Sequence, residues 1–158
     1  VLLHELTHAY QLEPQGIGSY GTNRVFWAFI EGMADAVRVA NGGFDGPNAR
    51  PKGGNYMDGY RTAGYFFVWL RDNKDPEFLR KFNRSTLEVI PWSFDGAIKH
   101  ILGTEYSIDE LWHEYQVAVG DIRCNIRLDM VNKVGRKRLF LVWSCLVSIL
   151  PGMAQTKS

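Results

Sequence analysis

Residues 1–12 read VLLHELTHAYQL and hold His4, Glu5 and His8 in the order H-E-x-x-H. On a helix, side chains at i and i+4 lie one above the other, so the imidazoles of His4 and His8 reach a common point from one face. Glu5 projects about 100° further round, off the two-histidine axis but within reach of a water held at that point. This is the residue set of a metallohydrolase. Zinc brings the pKa of a bound water to about 7, and an adjacent carboxylate can take its proton without a covalent intermediate. Three fixed positions also recur by chance, so the rest of the chain has to decide. Val1, Leu2, Leu3, Leu6 and Ala9 flank the motif and predict apolar faces for burial, in a helix over 1–12 that turns its motif towards a cleft.

A second stretch bears on the first. VFWAFIEGMADAVRVA carries Phe26, Phe29, Ile30, Met33, Val37 and Ala40 at three- and four-residue steps, which predicts a helix over 23–41. Glu31 and Asp35 sit within it, again four apart. Buried acids without partners are costly, so a pair of them on an apolar helix requires a reason. One reading makes Glu31 a third zinc ligand and Asp35 the acceptor for the far nitrogen of a ligating histidine, which fixes that ring's tautomer. The other leaves both on a solvated face, pairing with Arg24 or Arg38. Taken with H-E-x-x-H, the first is preferred, because two histidines and a glutamate form a catalytic zinc set with a fourth position open for water.

The chain is similar to the plant basic secretory proteins, also described as peptidases of plants and bacteria, among the zincins whose third ligand is a glutamate. The similarity is carried by HELTHAYQ (4–11), FIEGMADAVRVANG (29–42), GYRTAGYFFVWL (59–70) and IDELWHEYQ (108–116), in that order. It implies zinc held by His4, His8 and Glu31, Glu5 as general base, Asp35 behind a ligand, peptide or protein as substrate, and secretion. It also implies a β-sheet before the motif helix. Val1 falls abruptly inside a helix, without Met, so the expected fold is mainly α: the helical part of a zincin-like domain over 1–121, with its N-terminal sheet region largely missing. In such a domain the glycine-rich segment 41–58 leads towards the cleft, where Tyr56 or Tyr60 can donate to a developing oxyanion. Tyr60 also keeps core spacing with Gly64, Phe67 and Leu70, and packing is the preferred reading for it. A secreted defence-type or binding protein with a structural zinc site needs the same ligands and is the alternative function.

The remaining segments read as scaffold. Helices are predicted at 58–73, at 76–89 with Asp75 as N-cap and Pro76 in the first position, at 94–102 stopped by Gly103, and at 108–119 opened by a Ser107–Glu110 capping box. Arg80 to Arg84 and His100 are read as solvated surface. With 46% apolar and 13% aromatic residues, the 158-residue chain can bury a real core. Its 18 basic and 17 acidic side chains give a net charge of +1, no field to attract nucleic acid. Two cysteines, Cys124 and Cys145, are too few for a disulfide scaffold. The end of the chain, 122–158, is read as a non-domain tail. There Met130, a basic stretch, the apolar run Leu139 to Leu150 and Pro151-Gly-Met-Ala154 have the layout of a misplaced signal peptide, too short for the roughly 20 residues of a membrane span.

Overall fold

The computed structural model of the protein describes residues 1–123. Its elements in chain order are α1 (Leu2–His8), α2 (Arg24–Ala40), a 3-10 turn (Tyr56–Asp58), α3 (Tyr60–Asn73), α4 (Phe78–Glu88), α5 (Phe94–Leu102) and α6 (Ile108–Ala118). There is no strand among the described residues, and the mainly helical class is as expected. The chain divides into two compact units, Val1–Trp112 and His113–Ser158, and the site lies in the first. No helix among the described residues is long and apolar enough to cross a membrane. Cys124, Cys145 and the signal-like segment from Met130 fall outside the described residues.

The central helix is α2. Asn23 opens it in extended conformation, and its side-chain oxygen accepts the N–H groups of Val25 and Phe26, satisfying two donors that a helix start leaves free. Every residue from Ala28 to Ala36 is buried, so the helix is enclosed on all sides along the turns that carry Glu31 and Asp35. Close approach to α3 depends on two glycines. A Cβ on Gly32 would lie 2.7 Å from the Ala63 Cβ, and one on Gly64 would lie 2.9 Å from the Ala36 nitrogen. Beneath them Phe29 meets Trp92 edge-on at 4.7 Å and Phe82 at 5.2 Å, while the Trp92 indole N–H donates to Ser85 Oγ. Such aromatic pairs contribute about 0.5–1.5 kcal/mol each beyond the area they bury.

Three expectations are corrected. The first helix ends at His8 and not near 12: the N–H groups of Ala9 and Tyr10 bond three residues back, to Leu6 and Thr7, which tightens the chain into a turn. Nor is that helix apolar and buried. Val1 is 80% exposed, Leu2 73% and Leu6 48%, and His4 alone of α1 is buried, because α1 packs on α2 by one narrow face. The fourth helix starts at Phe78, since Pro76 lies in a tight turn closed by the Phe78 N–H on the Asp75 carbonyl. Asp75 still caps that turn by accepting from the Glu77 N–H. Elsewhere Ser107 Oγ accepts from the Glu110 N–H, Gly103 closes α5 at φ +120°, and the 80–84 cluster is surface, with Arg80 on Glu77 and Arg84 near Glu88. His100 is likewise exposed, 2.9 Å from a Glu88 oxygen.

Candidate metal centre

Hydrogen bonds on the far side of each imidazole fix what faces the centre. His4 Nδ1 lies 2.7 Å from Asp35 Oδ1. A carboxylate accepts only, so Nδ1 carries the hydrogen, and in the neutral ring Nε2 presents a bare lone pair. For His8 the logic runs through Gln11. The Gln11 amide nitrogen donates to the Ile30 carbonyl at 2.8 Å, which leaves Gln11 Oε1 to face His8 Nδ1, also at 2.8 Å. His8 Nδ1 is therefore the N–H as well, and its Nε2 is bare.

The two Nε2 atoms stand 3.1 Å apart, and Glu31 Oε2 lies 3.3 Å from that of His4 and 4.0 Å from that of His8. With both rings neutral, these three acceptors converge without a donor between them, an arrangement suited to a cation. Tetrahedral zinc with bonds of about 2.0–2.1 Å places its ligand atoms roughly 3.3 Å apart, so the donor set and its spacing fit. The cluster His4, His8 and Glu31 can hold a metal ion. Glu31 is 5% exposed and Asp35 3%, so the solvated-face reading of the two acids does not hold. Arg24 instead lies over the Trp27 ring and Arg38 over Phe44.

Glu5, next to His4 on the same short helix, is exposed. Tyr60 is not in the core, contrary to its spacing: it is 47% exposed, its ring stacked on His4 at 6.1 Å between centroids and set edge-on to Trp27 at 5.3 Å. The backbone explains the difference. Gly59 has φ +65°, and a Cβ there would sit 2.8 Å from the Trp27 ring; Tyr60 itself has φ +41°, uncommon for a bulky residue. This twist delivers the phenol to the site and not inward. Desolvation raises its pKa above the usual value, followed by the charges of Glu31, Asp35 and Glu5. Tyr56, the other candidate, is taken up elsewhere. Its hydroxyl donates to Asp109, and its ring packs on Phe94 at 5.2 Å.

Two contributors had no signal in the periodicity. Gln11 lies just past the helix end, and only the i+3 offset from His8 hints at contact. Tyr20 lies in the connector, where its hydroxyl donates to Glu31 Oε1 at 2.6 Å. That bond, with desolvation second, pushes the Tyr20 pKa up to about 12.

Among known proteins, the family model described as BSP, peptidase of plants and bacteria, matches residues 1–115. No match was found among curated proteins or among solved structures. The matched span contains the whole cluster and most of the chain, and the chain belongs to the family of peptidases of plants and bacteria.

Proposed function

We propose that the protein is a zinc-dependent endopeptidase, with His4, His8 and Glu31 as metal ligands and peptide or protein as substrate. The observation that carries the reading is the convergence of three bare acceptor atoms, two of them fixed as such by Asp35 and Gln11. Held by His4, His8 and Glu31, zinc would supply Lewis-acid polarisation of a carbonyl and a water whose pKa is lowered to about 7. Glu5, free of the cluster and open to solvent, takes the proton from the attacking water and later delivers it to the leaving amine. Tyr60, its pKa raised by desolvation and the nearby carboxylates, stays protonated and donates a hydrogen bond to the oxyanion as the carbonyl becomes tetrahedral. Asp35 and Gln11 hold the imidazoles in the tautomer that leaves Nε2 free, and they do not contact substrate. The family resemblance further supports secretion as the destination of the protein.

Cleavage of a broad peptide library, with and without a zinc chelator, tests the proposal. Internal peptide bonds are expected to be cut, with activity lost on chelation and restored by zinc. Cleavage that a chelator leaves untouched would refute the metal mechanism. Stoichiometric zinc with no cleavage at all would instead support a binding protein with a structural metal.

A further inference from the structure

We propose that Tyr20 is a positioning residue for Glu31: by holding Oε1, its hydroxyl leaves only Oε2 to face the two histidines, so the carboxylate offers a metal one oxygen. The inference rests on the zinc reading above and deepens it.

The two oxygens of Glu31 have separate partners. Oε1 accepts from the Tyr20 hydroxyl at 2.6 Å, while Oε2 is the atom 3.3 Å from His4 Nε2 and 4.0 Å from His8 Nε2. A charge-assisted O–H···O bond of that length is among the stronger ones available to a carboxylate. It competes with any rotation that would turn both oxygens towards the histidines.

The connector between α1 and α2 is built to present Tyr20. Leu12 N–H donates to Asn83, and the Gln15 carbonyl accepts from the Trp92 N–H, so the segment is tied to the helical core. Asn23, besides capping α2, donates from its side chain to the Ile17 carbonyl. The N–H groups of Thr22 and Asn23 both bond the Ser19 carbonyl, making a turn whose outer position is Tyr20. A loop held at this many points fixes where the phenol falls. A carboxylate confined to one oxygen preserves room at the metal for water and substrate, which a catalytic site needs and a closed structural site does not.

Tyr20→Phe removes the hydroxyl and keeps the ring. Because Tyr20 is 44% exposed, the variant is expected to fold and melt like the parent. Zinc affinity, measured by chelator competition, should weaken by about 10–100-fold, the usual cost of losing a partner behind a ligand. X-ray absorption of the zinc form should show one additional oxygen neighbour, as Glu31 turns its second oxygen inward. In a Glu31→Ala background, Tyr20→Phe should cause no further loss of affinity. If the parent binds zinc while Tyr20→Phe equals it in affinity and absorption spectrum, this inference fails and the zinc reading stands. A parent that takes up no zinc overturns both.

Discussion

Helices α1 and α2 supply the site together, but they are held in the fold by different means. From Ala28 to Ala36 every residue of α2 is buried, so Glu31 and Asp35 are fixed by packing. On α1 only His4 is buried, and the outer leucines face solvent. Hydrogen bonds of the candidate site tie α1 and the turn after it to α2: His4 to Asp35, and Gln11 to the Ile30 carbonyl. A packed helix thus carries one candidate ligand and a carboxylate to hold a second, while the short helix is met by hydrogen bonds to its histidines. Function and local stability are coupled on α1 and separable on α2.

The largest effect expected from this division is chemical. Glu5 is on the loosely held helix yet binds nothing there, so Glu5→Gln should leave zinc content and melting unchanged while lowering kcat by about 10²–10⁴-fold. Loss of metal in that variant would assign Glu5 to the ligands. Tyr60→Phe comes next. A donor to the developing oxyanion is worth about 10²–10³ in kcat, with zinc affinity unchanged, whereas a core role would show as a lowered melting temperature.

Gln11→Ala probes the coupling itself. Zinc affinity should fall about 10–100-fold, and amide hydrogen exchange in α1 should quicken while that of α2 does not. Equal acceleration in both helices would erase the distinction. On the packed side, Gly64→Ala forces a methyl against the Asp35 and Ala36 backbone and should cost about 1–3 kcal/mol, read as a lowered denaturation midpoint.

The smallest effect belongs to a pair outside the His4, His8 and Glu31 cluster. The hydrogen bond from Lys81, and then the Glu77 N–H, holds the Asp75 carboxyl below the usual carboxylate range. Its stabilisation is present above the unfolded pKa of about 3.9 and is lost as pH falls through the lower folded value. Lys81 is 43% exposed, so Asp75→Asn should cost only about 0.2–1 kcal/mol at neutral pH, less in acid, and nothing in zinc affinity.

Much of this was legible in residue order, for reasons that differ from part to part. The helices followed from apolar period and caps because both are local: Asn23 and Ser107 cap where they stand. His4, His8, Glu31 and Asp35 were readable because four-residue spacing on a helix already implies a shared face. Gln11 and Tyr20 were not, since each reaches the site from irregular chain, and their value depends on long-range bonds to Asn83 and Trp92 that no period encodes. Tyr60 misled because core spacing presumes regular helix, and Gly59 breaks that regularity one residue earlier. The apolar flank of α1 pointed to burial that the described residues do not provide.

Zinc content is the most direct measure of the central claim. Purified protein exposed to zinc and freed of excess should retain about one equivalent per chain, while His4→Ala and Glu31→Ala should each lose most of it. Zinc retained equally by both variants, or by none of the three proteins, would contradict the assignment of His4, His8 and Glu31 as a metal centre.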